Sequence, residues 1–295
     1  MPMDYEGYIA RKFLIGLFLL LLTLLVSLYS LSHGSYSLST GDVINTLLGR
    51  EGGNAYLIVW KVRLPRIVAA LFVGASLAVS GAVMQGFLRN PPLASPFTMG
   101  VSHGAMFGAS LAIILGAGYA ESTGRISLDN PYAVVIFAFA GAMVAVGVIL
   151  LLAKLKGLSP PEAIILAGVA MSSLFVALTT FIQYFADELQ LAAMVYWSFG
   201  DLGRATWRED VILLLVFVPV FAYFIVKRWD LNASAVGEEV AKSVGVEVER
   251  VRLVSTFLAA LITAVGVAFV GVIGFVGLIA PHLIRLIAGG ETTGF

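Results

Sequence analysis

Long stretches without a charged residue recur along the chain and limit what it can fold into. Three of them cover residues 67–88, 130–153 and 163–186. Each is about as long as the ~20 residues that a helix needs to cross a ~30 Å hydrocarbon core. Because 59% of all residues are hydrophobic and only 12% are charged, we predict an integral membrane protein.

Further apolar runs complete the predicted set of membrane spans. The uncharged stretch 253–284 is too long for one crossing, and Gly271, Gly274, Gly277 and Pro281 interrupt it, so we divide it into two spans. The predicted spans, about eight, cover approximately residues 13–31, 66–88, 96–120, 131–153, 163–185, 210–227, 253–271 and 274–290. The runs lack the polar alternation of a membrane barrel. We therefore expect an all-α fold, a polytopic transmembrane helical bundle, forming a single domain over residues 1–295.

Basic residues near the chain start indicate the orientation. The first span follows Arg11 and Lys12, and no small-residue cleavage site follows it, so we interpret it as an uncleaved span and not as a signal peptide. With the N-terminus in the cytoplasm, the loops on that side hold the larger share of Lys and Arg. We expect a multi-pass protein of the cytoplasmic (inner) membrane, with the polar loop 231–251 in the cytoplasm.

The loop 231–251 contains a helical pattern. Apolar residues recur there every four positions, at Val236, Val240 and Val244, which predicts one narrow apolar stripe on a short helix. Gly245 suits the left-handed residue that ends a helix. This pattern alone leaves two alternatives, a docking helix and an ordinary solvated loop helix.

Within that loop, Glu239-Val240-Ala241, followed by Gly245 after three residues, resembles the EAA…G loop of ABC importer membrane subunits. In those proteins the loop is the coupling helix, which sits in a groove of the ATP-hydrolysing subunit. The resemblance implies that the ATPase-coupling residues are Val236, Glu238, Glu239, Val240, Ala241, Val244 and Gly245.

A second resemblance covers most of the chain. Residues 63–109, RLPRIVAALFVGASLAVSGAVMQGFLRNPPLASPFTMGVSHGAMFGA, are followed by LAGVAMSSLF, YWSFGDL and GFVGLIAPHLIRL. In this order the segments are similar to the FecCD-type permeases of binding-protein-dependent importers for iron–siderophores, haem and cobalamin. The resemblance implies a permease that moves a metal chelate, with an iron–siderophore favoured and haem, cobalamin or an oxyanion as alternatives.

The chain departs from this family in two places. One more proline stands at 91–92 than in the family motif Arg-Asn-Pro-Leu-Ala. Family members also have ten spans, whereas this chain ends after the eighth predicted one, so we expect it to be truncated before the last two. Residues 77–96 can be laid over 262–281 without gaps, which suggests an inverted internal repeat.

The resemblance also implies roles for residues at both membrane surfaces. Arg63 and Arg66 would pair with acidic residues of an extracytoplasmic substrate-binding protein, since guanidinium groups bind carboxylates in a two-bonded geometry; interfacial anchoring is the alternative. The cytoplasmic gate of the translocation path would include Asn90, Leu93, Ser159 and Glu162.

No G-x-x-x-x-G-K-[ST] phosphate-binding loop occurs in the sequence, so ATP and Mg²⁺ would be used by a partner. We expect this chain to bind no cofactor and no metal, because its three histidines are unconnected and it has no cysteine. The implied assembly is a homodimer with two ATP-binding cassette subunits inside and one substrate-binding protein outside, surrounded by membrane lipid. No nucleic acid is involved.

Two other classes of function must be weighed. An ion-coupled secondary transporter normally has ionisable groups at mid-membrane, and the spans here are almost bare of them. A serine hydrolase is suggested by Gly-Val-Ser-His-Gly at residues 100–104, with Ser102 beside His103. That motif needs a preceding strand and a following helix, whereas we expect it to lie inside one apolar helix. We therefore predict a transporter subunit and not an enzyme.

Overall fold

The computed structural model describes residues 5–34, 36, 38–50, 52–87, 94–117, 131–155 and 161–288, and all regular secondary structure in these ranges is helical. The α-helices are α1 (Tyr5–Ser32), α2 (Thr40–Leu47), α3 (Asn54–Tyr56), α4 (Leu64–Phe87), α5 (Val101–Ala112), α6 (Pro131–Leu155), α7 (Pro161–Phe185), α8 (Glu188–Ser198), α9 (Trp207–Val226), α10 (Arg228–Val236), α11 (Glu238–Ser243), α12 (Val248–Val270) and α13 (Val276–Ala288). Short π-helical stretches, Leu57–Arg63 and Ile113–Ala117, precede α4 and extend α5.

Six helical segments of the described chain are long and apolar enough to cross a membrane. They are Ala10–Ser32, Asn54–Gly86, Pro131–Lys154, Ala163–Phe185, Trp207–Val226 and Val248–Val270. Where the sequence predicts the spans 96–120 and 274–290, the structure has shorter apolar helices, Val101–Ala117 and Val276–Ile287. The all-helical fold class is thus confirmed. At two of the predicted spans the helices are shorter than the six candidate membrane-spanning segments.

Helix α12 lies at the centre of the bundle and packs against α4, α6 and α9. Its most apolar part is 61% buried, compared with 6% for α1. Two hydrogen bonds join it to α4: Ser80 donates to the carbonyl oxygen of Ala259 at 2.8 Å, and Thr263 donates to the Ser80 hydroxyl at 3.1 Å. Gly266 of α12 packs on Val73 of α4. Contacts nearer the C-terminal end of α12 therefore lie nearer the N-terminal end of α4. The helices that contain the two overlaid repeat segments therefore run antiparallel.

The chain between α12 and α13 is non-helical and lies within the bundle. Gly271 and Phe275 both have positive φ, 83° and 66°, and a left-handed conformation is unusual for a residue with a side chain. A Cβ atom at Gly81, beyond the midpoint of α4, would lie 1.6 Å from the carbonyl oxygen of Gly277. Helix α13 thus begins deep inside the bundle. The predicted break in the stretch 253–284 lies at Gly271 and Gly274, whereas Gly277 and Pro281 lie inside α13.

The residues before α5 meet this break. The rings of Phe97 and Phe275 stack with their centroids 6.0 Å apart, and Phe97 also packs against Gly274. Gly100 ends the turn in a left-handed conformation, φ 78°. Non-helical backbone at membrane depth is tolerated only where protein or water satisfies its polar groups. Two such stretches therefore pack against each other, with Phe275 itself 63% exposed.

Candidate functional site

The polar loop after α9 folds into two short helices, which we call the α10–α11 segment (residues 228–245). At its start, Lys227 donates to Asp230 at 2.8 Å, and this hydrogen bond raises the pKa of the Lys227 ammonium group. Gly237 is extended (φ 169°, ψ 152°) and separates α10 from α11. The prediction of one continuous helix through Val236, Val240 and Val244 is therefore wrong, because Val236 ends α10 and Val240 lies in α11.

The three predicted valines nevertheless remain accessible. Val236, Val240 and Val244 are 62%, 47% and 66% exposed, whereas Ala241 is fully buried. Ala241 thus anchors α11 to the rest of the chain, and the valines point away from it. Their apolar surface is therefore available for contact with a partner.

Gly245 ends α11 with a left-handed backbone, φ 82°. Its N–H donates to the carbonyl oxygen of Lys242 at 3.0 Å, and the N–H of Val246 donates to that of Ala241 at 2.9 Å. No atom would lie within 4 Å of a Cβ at this position. The need for glycine is therefore conformational and not steric, as the sequence predicts.

Glu238 and Glu239 point in different directions. Glu239 is exposed, but Glu238 accepts a hydrogen bond from Arg252 on α12, with 2.7 Å between Oε1 and Nη2. The side chains are 39% and 11% exposed. Sequence reasoning missed Arg252, since its partner lies 14 residues away and meets it only because the glycine turn folds α11 back.

The two predicted docking arginines have different environments. Arg63 is only 9% exposed, and its guanidinium donates to the carbonyl oxygens of Leu31, in the last turn of α1, and of Tyr36, in the chain after it. Arg66 is exposed and lies beside Gly203. Arg63 thus has a contact role within the chain, and its docking role stays a prediction. Arg66 remains a candidate.

The predicted gate has no described geometry. Asn90, Leu93 and Ser159 lie outside the described residues, and Glu162 belongs to the first turn of α7 without a described side chain.

The serine motif, residues 100–104, lies within the described residues. Ser102 is buried in the first turn of α5, after a turn and not after a strand, so the motif spans a helix start and not a helix interior. The nucleophile-elbow context is absent there in either case.

An all-helical bundle with antiparallel repeat-like helices and a break in the backbone between α12 and α13 is typical of membrane transport proteins. The chain belongs to the FecCD transport family, whose sequence profile matches residues 20–294. It is therefore an ABC transporter permease of that family, and the family resemblance of the sequence is confirmed.

Individual relatives support this membership. A protein of Methanocaldococcus jannaschii, provisionally named an ABC transporter permease, is 59% identical over 291 residues, 98% of this chain and 83% of that protein. The vitamin B12 import system permease protein BtuC of Serratia proteamaculans is 38% identical over 268 residues, 91% of this chain and 75% of that protein. A solved inward-facing structure, provisionally described as a metal-chelate type ABC transporter, superposes with a TM-score of 0.79 at 33% identity, covering 96% of this chain and 83% of that one.

Proposed function

We propose that this permease belongs to a binding-protein-dependent importer that moves a metal chelate into the cell. The observation that carries the proposal is the family match over residues 20–294. The metal-chelate type of the structural neighbour is in line with this cargo class. Among metal chelates, the family resemblance favours an iron–siderophore, whereas the Serratia relative is named for vitamin B12. Cobalamin and a ferric siderophore are therefore the two cargoes to test first.

The energy for transport comes from ATP hydrolysis in a partner subunit. The working assembly is a homodimer with two ATPase subunits and one substrate-binding protein, and ATP and Mg²⁺ bind to the ATPases and not to this chain. The exposed valine stripe of the α10–α11 segment supports this arrangement, because Val236, Val240 and Val244 present apolar surface that the described chain does not cover. An ATPase groove that receives this segment would remove that surface from water.

The α10–α11 segment and the N-terminus face the cytoplasm of a cell membrane. Contacts at one end of the bundle support a common side: Arg11 of α1 donates to the carbonyl oxygen of Ile287 at the end of α13, and Arg285 of α13 donates to Gln85 near the end of α4. Leu231 of α10 packs in the same hydrophobic cluster as Met84. An ATPase that docks on α11 therefore places the start of α1 inside.

The proposal is tested by isolating the tagged permease from its source membranes and identifying bound proteins by mass spectrometry. We expect a P-loop ATPase to be recovered with the unmodified chain and lost with Gly245→Glu, which distorts the turn after α11. Gly49→Glu is the matched control, because Gly49 also has a positive φ, 71°, and open space around it.

The same preparation tests the cargo. Reconstituted with its ATPase and binding protein, the permease should take up radiolabelled cyanocobalamin or a ferric siderophore only when ATP is present. Recovery of no ATPase from the unmodified chain would contradict the importer function and favour an ion-coupled secondary transporter. Recovery of an ATPase without uptake of either chelate would contradict only the proposed cargo.

A further inference from the structure

The ion pair between Glu238 and Arg252 joins α11 to α12, whereas the nearby pair of Lys227 and Asp230 is local to the start of α10. Arg252, in the second turn of α12, is 9% exposed as a residue. By contrast, the pair of Glu247 and Arg250 is 3.5 Å apart, with side chains 73% and 79% exposed. Exposed pairs contribute little to stability, whereas removal of one partner of a buried pair leaves a charge without compensation. Only the first pair therefore constrains how α11 and α12 lie relative to each other.

Helix α11 has few other attachments. It comprises six residues, too few to be stable as an isolated helix. Extended backbone at Gly237 precedes it and the left-handed Gly245 follows it. In the part of the chain that the structure describes, and apart from contacts with α10, its attachments to the bundle include buried Ala241 and the bond of Glu238 to Arg252. Its direction on the surface thus depends strongly on this ion pair.

Helix α12 leads from this ion pair to the interior of the bundle. It is the most buried of the six long apolar segments and is hydrogen-bonded to α4 through Ser80. It ends at Gly271, where the non-helical stretch before α13 begins. A displacement of the start of α12 is therefore passed to α4 and to the broken backbone, since closely packed helices move as rigid elements.

We propose that Glu238 and Arg252 are positioning residues that transmit the movement of the ATPase-bound α11 to α12. The inference rests on the proposed function and deepens it. In this role Glu238 acts within the permease, while Glu239 and the valine stripe face the ATPase. Coupling between ATP hydrolysis and the substrate-binding protein then requires the ion pair, although neither residue has to contact ATP or cargo.

The test uses the complete transporter, reconstituted in proteoliposomes with its ATPase and binding protein. The variants are Glu238→Gln, Arg252→Gln and the charge swap Glu238→Arg with Arg252→Glu, and Arg252→Lys keeps the charge with minimal change in structure. The matched control is Glu247→Gln with Arg250→Gln. Two quantities are measured: the amount of ATPase subunit that copurifies, and the factor by which the binding protein stimulates ATP hydrolysis.

We expect Glu238→Gln and Arg252→Gln to retain the ATPase but to lose about fivefold or more of the stimulation, the lower end of typical coupling between sites. The charge swap and Arg252→Lys should recover part of it, and the control pair should behave like the unmodified chain. Stimulation equal to the control in both single variants would overturn the inference and leave the proposed function intact. Loss of ATPase binding in both would also overturn it, since Glu238 would then be a docking residue. Absence of ATPase from the unmodified transporter would overturn both proposals.

Discussion

Arg63 and Arg66 are three positions apart, yet one is buried and the other is exposed. Both precede or begin α4, yet only Arg63 is covered by the chain that follows α1. Its guanidinium donates to the carbonyl groups of Leu31, in the last turn of α1, and of Tyr36, after it. Arg63 therefore stabilises the connection between two spans, while Arg66 keeps its charge at the surface.

This difference predicts opposite phenotypes for Arg63→Gln and Arg66→Gln. The first should destabilise the permease by about 1–3 kcal/mol, because buried carbonyl groups lose a charged donor. The second should change stability by no more than about 0.5 kcal/mol but weaken binding of the cognate substrate-binding protein. Thermal unfolding in detergent and a binding titration measure the two effects. Equal stability of the two variants would contradict the structural role of Arg63.

At the scale of single elements, the sequence predicts where helices lie better than where they are interrupted. The four-residue repeat of Val236, Val240 and Val244 predicts one helix, but Val236 ends α10, Val240 lies in α11 and Val244 follows α11. Gly245, by contrast, is correctly placed at a helix end. The break at Gly237 could not be predicted, since its backbone is extended, φ 169°, and any residue can adopt that conformation. Pro281 is predicted to break the stretch but lies in the second turn of α13, where it removes one helical hydrogen bond. The carbonyl oxygen left over, that of Gly277, lies 3.5 Å from the Gln85 side-chain nitrogen.

The two glycines that flank α11 should therefore tolerate substitution differently. Gly237→Ala should be nearly neutral, because its added Cβ would meet only Val240 Cγ2 at 3.9 Å and needs no unusual φ. Gly245→Ala should destabilise the turn by about 1–2 kcal/mol, the penalty for a left-handed residue with a side chain. Hydrogen exchange of the amides in α11 reports on both. The prediction is wrong if Gly237→Ala increases exchange as much as Gly245→Ala does.

At the scale of the whole molecule, the sequence predicted an all-helical bundle and a repeat, because hydrophobic runs report directly on membrane crossing. It did not predict the depth at which α13 begins. That depth depends on close backbone contact between Gly81 and Gly277, which are far apart in the sequence. Nor could the sequence separate a buried arginine from an exposed one, since burial of Arg63 and Arg252 depends on neighbours brought in by the fold.

The antiparallel packing of α4 and α12 can be tested by cross-linking. The chain has no cysteine, so introduced thiols have no native background. Because the hydroxyl oxygens of Ser80 and Thr263 lie 3.1 Å apart, Ser80→Cys with Thr263→Cys should form an intramolecular disulfide on oxidation in membranes, seen as a mobility shift that a reductant reverses. Ser80→Cys alone should show no such shift. A double variant that stays reduced would contradict the arrangement of the repeat.

Helices α1 and α12 should accumulate amino-acid substitutions at different rates during evolution. The most apolar part of α1 is 6% buried and that of α12 is 61% buried. Positions in α1 are selected mainly for affinity to hydrocarbon, so one aliphatic residue can replace another there with little effect. Each position in α12 must also match the shape of several neighbours. Sequence drift among descendants of this protein should therefore be fast in α1 and slow in α12, even though the two helices are almost equally hydrophobic.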